Sequence, residues 1–178
     1  MNSKGKVMSH IISKRNACVV VVFSIGLSAM AWVYAQQGQR HGPLTEQDYR
    51  DIQHLYARYN MAIDDGDAEG WVAVWTPDGD FNNFKGRDDL LRFARDYLNN
   101  RDGARRRHWI NNLVITATQE GAHASNYFMI LDVSVTPPAV ASTGRNDDTF
   151  VRTPEGWRFK TRKTRRPDGQ PLVISVPR

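Results

Sequence analysis

Cysteine is nearly absent from this chain: Cys18 is the only one in 178 residues. It lies in an apolar stretch near the N-terminus, so the remainder can form no internal disulfide and offers neither a thiol nucleophile nor a thiolate metal site. The fold must therefore rest on core packing. No HExxH motif occurs, and no histidine pair stands at zinc spacing. "DDGDAEG" is rich in acid and glycine but lacks the phosphate-loop pattern and the strand that should precede it. There is no GxSxG elbow either. After the N-terminal segment no apolar run is long enough to span a bilayer, and no internal repeat occurs. Thiol, zinc, P-loop and serine-elbow chemistries are thereby set aside, and neither metal nor cofactor is expected.

The N-terminal segment is present for a different reason. Lys4, Lys6, Lys14 and Arg15 come without an acidic residue, and "ACVVVVFSIGLSAMAWV" follows. Val33 and Ala35 then stand where a secretory cleavage site needs small residues. The pattern predicts a signal peptide over 1–35, a linker over 36–43, a domain over 44–166 and a tail over 167–178. Export to the periplasm or medium follows. The alternative is an uncleaved membrane anchor, because the stretch approaches the roughly 20 residues that span a bilayer. Cleavage takes four of the 24 Lys and Arg residues and no acid, leaving 20 against 19 acidic residues, a net charge of +1. The basic character thus belongs to the export signal. Arg105–Arg107 and the cluster Arg158, Lys160, Arg162, Lys163, Arg165 and Arg166 read as solvated sheet faces and edges, and nucleic acid is not an expected partner.

"TEQD" offers Thr45 as a helix N-cap with Asp48 three residues on, and apolar residues then recur at helical spacing from Tyr49 to Ile63 before Gly66. A second helix is expected over Ala68–Trp75, with Trp71 and Trp75 inward. "TPDGDF" reads as a turn into a short strand at Asp80–Phe84, and "GRDDLLRFARDYL" as a third helix. Strands are expected over Arg106–Thr118, Ala122–Val135, Gly144–Arg152 and Trp157–Arg166, with "TPPAVAST" a loop because adjacent prolines cannot sit inside a sheet. Helices first and an antiparallel meander after predict an α+β domain, with N-terminal helices packed in a curved antiparallel sheet.

"LYARYNMAIDDGDAEGWVAVWTPDGDF", "RHWINNLVI" and "GRNDDTFVRTPEGWRFKTR" together resemble the SnoaL-like branch of the nuclear transport factor 2-like superfamily, from Leu44 to about Arg166. The resemblance implies a cone-shaped α+β barrel whose bent sheet wraps a long helix and leaves a pocket open at one end. Similar folds include scytalone and bile-acid dehydratases, steroid and polyketide isomerases or cyclases, dioxygenase β subunits and binding proteins. Fold alone does not choose among them.

In the related dehydratases an Asp at the end of the first helix pairs with a His on the first long strand. The matching residues here are Asp64 and His108, and Tyr59 matches a tyrosine of the bile-acid type. A carboxylate can fix an imidazole's tautomer, the imidazole can move a proton beside a carbonyl, and a phenol can polarise that carbonyl. Strand periodicity puts His108, Ile110, Asn112 and Val114 on one face, and Asn126, Phe128 and Ile130 on another. Asn112, Asn126, Trp75 and Phe128 are therefore the expected substrate-binding residues. Alternatives stay open: Asp65 or Asp67 could replace Asp64, His108 alone could be a core histidine, and Asp148 could face the cavity or pair with Arg152 or Arg162. One departure stands out. The second histidine of scytalone dehydratase has no counterpart in "FNNFKGRDDLL". The expected function is cofactor-free dehydration or isomerisation of a small, oxygenated, largely apolar molecule, with non-catalytic ligand binding as the alternative. A homodimer is expected by analogy, with contact to membrane only through the signal segment.

Overall fold

A computed structural model describes residues 42–172 except Asp102. The chain divides into two units, Met1–Arg40 and His41–Arg178. The expected signal peptide and most of the linker lie outside the described residues, as does the end of the tail. No described helix is long and apolar enough to cross a membrane.

Helix α1 runs over Glu46–Asp65. Thr45 caps it from an extended conformation: the Asp48 N–H donates to Thr45 Oγ1 at 3.2 Å, and the Thr45 N–H donates back to Asp48 Oδ2 at 2.9 Å. Such a cap stabilises a helix by about 1 kcal/mol. Asp48 also accepts from the Trp157 indole at 3.0 Å and pairs with Arg152, so the capping residue ties the helix start to a distant hairpin. At the other end Gly66 adopts φ 88°, a left-handed conformation that costs a residue with a Cβ more than it costs glycine.

Helix α2 covers Ala68–Ala73, shorter than the sequence suggests. Trp75 does not close that helix but opens strand β1, Trp75–Phe81, and "TPDG" is strand rather than turn. The turn falls instead at Asn82–Asn83, before the two-residue strand β2, Phe84–Lys85. Helix α3 follows over Arg87–Asn99. Then come β3 (Arg106–Thr118), β4 (Gly121–Asp132), β5 (Ala139–Thr153) and β6 (Gly156–Arg165). The strand after the proline pair starts at Ala139, so most of "TPPAVAST" outside the prolines belongs to the sheet.

The six strands form one sheet in the order β2-β1-β6-β5-β4-β3. β3 to β6 are the expected antiparallel meander, but β1 joins β6 in parallel, so the sheet is mixed. Register shifts with an extra residue in β3, β5 and β6 bend the long strands. The bent sheet wraps the helices in a cone, an α+β architecture of the nuclear transport factor 2-like type. Gly144 allows a close approach within the sheet: a Cβ there would lie 2.2 Å from the Arg165 carbonyl oxygen, and the Phe128 ring leans into the space it leaves.

The core is aromatic. Tyr56, Tyr59, Trp71, Trp75, Phe81, Phe93, Phe150 and Phe159 are all buried. Their rings meet mostly edge-on or tilted, as with Tyr56 and Phe159 at 5.3 Å or Phe81 and Phe93 at 4.9 Å. Each such pair adds about 0.5–1.5 kcal/mol beyond the area it buries. This packing fixes one wall of the cavity described next.

Candidate active site

Asp64 sits in the last turn of α1 and reaches across to the start of β3. Its Oδ1 lies 2.6 Å from His108 Nδ1, and its Oδ2 accepts the His108 backbone N–H at 2.9 Å. Both side chains are largely shielded, 8% exposed for Asp64 and 15% for His108. The carboxylate accepts from Nδ1–H and so leaves Nε2 as the ring nitrogen with a lone pair. The competing carboxylates are out of position: Asp65 and Asp67 are exposed, and Asp67 caps α2 through the Gly70 N–H at 2.8 Å.

An aspartate at a helix C-terminus meets the negative end of the helix dipole, and α1 has no basic residue in its last turn. Arg101, beyond the end of α3, supplies the missing cation. It donates to the carbonyls of Ile63 and Asp64, the latter at 3.2 Å, and its guanidinium lies 5.2 Å from the Tyr97 ring centre. Tyr97 in turn meets the His108 ring edge-on at 6.1 Å. Sequence reasoning overlooked Arg101 because it lies outside any element and any motif.

His108 lines a cavity of about 270 Å³, together with Tyr59, Trp71, Tyr97, Phe128 and Arg162 among others. The walls are mainly aromatic and aliphatic, with a few polar groups, the usual character of a small-molecule site. Burial raises the Tyr59 and Tyr97 phenols above their ordinary range, so both remain protonated at neutral pH.

A polar cluster forms part of the cavity wall through Arg162, Asn146 and Thr164 and extends behind it. Arg162 donates through Nε and Nη2 to the two oxygens of Asp148, at 2.7 and 2.9 Å, with both side chains buried. Tyr56 donates to the same carboxylate, and Asn126 donates to the Tyr56 oxygen at 3.1 Å. Asn146 and Thr164 extend the chain through the Asn126 and Asn146 side-chain oxygens. Burial, and the Asp148 charge after it, push the Tyr56 phenol far up. For Arg162 burial acts to lower the pKa, but Asp148 and the neighbouring tyrosines outweigh it and hold the cation firmly charged. Asp148 therefore pairs with Arg162, not Arg152.

The structure brings Asp64, His108, Tyr59 and Phe128 to one place: Tyr59, His108 and Phe128 border the cavity and Asp64 backs the histidine. Three expected binding residues lie elsewhere. Asn112 adopts φ 51° at a bulge between Asn111 and Val114, which reverses the alternation of β3. Asn112 is therefore exposed, Val114 turns outward at 57% exposure, and Leu113 and Ile115 take the inward positions. Asn126 faces inward but is bonded into the Asp148 cluster behind the wall, where Asn146 borders the cavity instead. Trp75 is buried against Trp71 and Phe159 and does not line the cavity.

A SnoaL-like domain family model matches residues 45–163, most of the described chain. The chain belongs to the SnoaL-like family. This SnoaL-like protein is similar to Aln2 from a Streptomyces species, at 24% identity and a TM-score of 0.66, over 71% of this chain and 96% of that one. It is similar as well to an NTF2-like protein with a cystatin-like fold from Novosphingobium aromaticivorans, at 28% identity and TM-score 0.60, over 70% and 84% of the two chains. A Catenulispora acidiphila protein solved in complex with S-DNPA is 26% identical with TM-score 0.59, over 65% and 90%. No curated protein matches the chain significantly. The SnoaL-like fold family includes polyketide cyclases and isomerases.

Proposed function

We propose that this SnoaL-like protein is an exported, cofactor-free enzyme that dehydrates or isomerises a small, oxygenated, largely apolar molecule by proton transfer. The observation that carries this reading is the double contact of Asp64 with His108 at the wall of an otherwise apolar cavity. With Nδ1–H held by the carboxylate, Nε2 is the base that takes a proton from carbon beside a carbonyl. The resulting imidazolium is stabilised by Asp64 and can return the proton to a leaving hydroxyl or to another carbon. Tyr59, kept protonated by burial, is the donor to the substrate oxygen. The family's cyclases and isomerases support an organic ring compound as the ligand.

The N-terminal basic and apolar pattern supports export. Trp109, Tyr127 and Val140, all more than half exposed on β3, β4 and β5, support pairing of two copies through the outer face of the sheet. A second functional reading, non-catalytic ligand binding, is favoured by one feature: among the described residues, His108 is the only histidine bordering the cavity. The two readings separate on a panel of cyclic β-hydroxy-ketones, with enone formation followed by absorbance. Turnover that disappears in His108→Ala supports the enzyme. Saturable binding with no turnover of any member supports the binding protein.

A further inference from the structure

The tail after β6 brings a side chain to the cavity that the His108 chemistry does not use. "RPDGQPL" turns the chain back along its own strand. Pro167 presets the backbone for a turn, and the Gly169 N–H donates to the Arg166 carbonyl at 2.9 Å. Asp168 accepts the Gln170 N–H at 3.0 Å, and Gly169 takes φ 82°, a conformation that strains residues with a Cβ. The Arg166 N–H donates to the Gln170 carbonyl at 2.8 Å and closes the hairpin.

Pro171 then pairs antiparallel with Arg165, and the Leu172 N–H donates to the Thr164 carbonyl at 2.9 Å. This edge of β6 is open to the tail because β1 has already left it. Asn82, at φ 54°, turns the chain toward β2, and its Oδ1 takes the Thr164 N–H at 2.8 Å. Residues opposite each other in an antiparallel pair share one face. Thr164 is buried and borders the cavity, so Leu172 opposite it points inward too. Among the described residues, Leu172 is the one cavity-lining residue that lies beyond Thr164 in the chain. It is half-buried, whereas Trp71 on the inner wall is fully buried, so Leu172 stands on the solvent side. It also lies past Lys163, where the SnoaL-like match ends.

We infer that Leu172 is a specificity-determining residue: its side chain, placed by the hairpin, forms the outer boundary of the cavity and sets the length of substrate that fits. This inference rests on the proposed proton-transfer reading and adds a size to its substrate. A cavity of about 150 Å³ holds a benzene ring, so about 270 Å³ admits a fused pair of rings. A third ring in line meets the Leu172 side chain. Shortening that side chain lengthens the space without touching His108 or the aromatic core.

The test titrates the full chain with two ketones by isothermal titration calorimetry. One is 2-tetralone, with two fused rings; the other is 3,4-dihydroanthracen-2(1H)-one, which adds a third ring in line. Leu172→Ala should shift the affinity ratio toward the three-ring ketone by about tenfold, since a single methylene in an apolar pocket already discriminates by about that much. Leu172→Trp should instead weaken 2-tetralone itself by about tenfold. A ratio that moves less than about threefold in Leu172→Ala, 2-tetralone bound as tightly by Leu172→Trp as by wild type, or wild type that binds neither ketone would each overturn the inference. If Leu172→Ala does not fold, Leu172→Trp decides the matter. Binding is independent of turnover. A shifted ratio in a protein that turns over neither ketone would sink the catalytic reading and leave Leu172 as the boundary, whereas turnover with an unshifted ratio would do the reverse.

Discussion

Asp64 holds His108 at two points, the ring through Nδ1 at 2.6 Å and the backbone through its N–H at 2.9 Å. The two contacts do different things. The backbone bond fixes the start of β3 against the end of α1, whereas the ring bond chooses the tautomer. Asp64→Asn separates them. An Asn oxygen can still accept the backbone N–H, but its amide then presents N–H to Nδ1, which moves the proton to Nε2. The variant should fold with an unchanged circular dichroism spectrum and lose about 10²–10⁴ in kcat, the usual range for general acid–base catalysis. Equal activity in Asp64→Asn and wild type would contradict the choice of tautomer.

Arg101 gives a second prediction. It donates to two carbonyls at the end of α1 and stacks on Tyr97, beside His108. A cation at a helix C-terminus contributes up to about 2 kcal/mol in a partly buried setting. Arg101→Ala should lower the midpoint of urea unfolding by that order. It should also reduce kcat more than it changes KM, because Asp64 shifts with the helix end. Arg101→Lys should recover part of both effects. A loss of stability with kcat intact would make Arg101 structural only.

The buried pair predicts the largest stability effect. Removing Asp148 strands the Arg162 cation in a dry site, and breaking a buried pair from one side costs about 3–5 kcal/mol. Asp148→Ala should therefore unfold at far lower denaturant than wild type, or fail to fold. Asp80→Ala, which removes the exposed pair with Lys163, should cost no more than about 1 kcal/mol. Comparable costs for the two would contradict this ranking.

Legibility in the sequence followed the range of the interactions. The Thr45–Asp48 capping box and the Gly66 stop are local, and α1 forms between them as expected. The Asp64–His108 contact spans 44 positions, and only the family resemblance proposed it; composition could not. The parallel pairing of β1 with β6 is equally distant and has no local signature. The β3 bulge was readable in part. Asn112 is one of the few residue types that tolerates a left-handed conformation, and the apolar residues change parity there, from Ile110 to Leu113 and Ile115. An unbroken two-residue period passed over that change and turned Asn112 to the wrong face. Asn126 failed for another reason: periodicity finds the inward face but not the depth, and Asn126 lies behind the wall.

Alkaline pH supplies a further prediction. Burial raises the phenols of Tyr56, Tyr59 and Tyr97 above the ordinary value of about 10. Above that pH the unfolded chain releases these protons while the folded chain keeps them. Their contribution to stability is therefore fully present below about pH 10 and is lost as pH rises beyond it. Each tyrosine contributes a fall of up to about 1.4 kcal/mol per pH unit. Tyrosinate absorbance from the three should emerge only with cooperative unfolding. Titration of every tyrosine near pH 10 with the fold intact would contradict their burial.

The most direct measurement of the central claim is hydrogen–deuterium exchange at the α-carbon of 2-tetralone in D₂O, followed by proton NMR with wild type, His108→Ala and Asp64→Asn. Base catalysis by His108 predicts exchange above the buffer rate with wild type, none above it with His108→Ala, and a rate reduced by about 10²–10⁴ with Asp64→Asn. Exchange that proceeds equally well in His108→Ala, or wild type that binds the ketone without exchanging its α-protons, would contradict it.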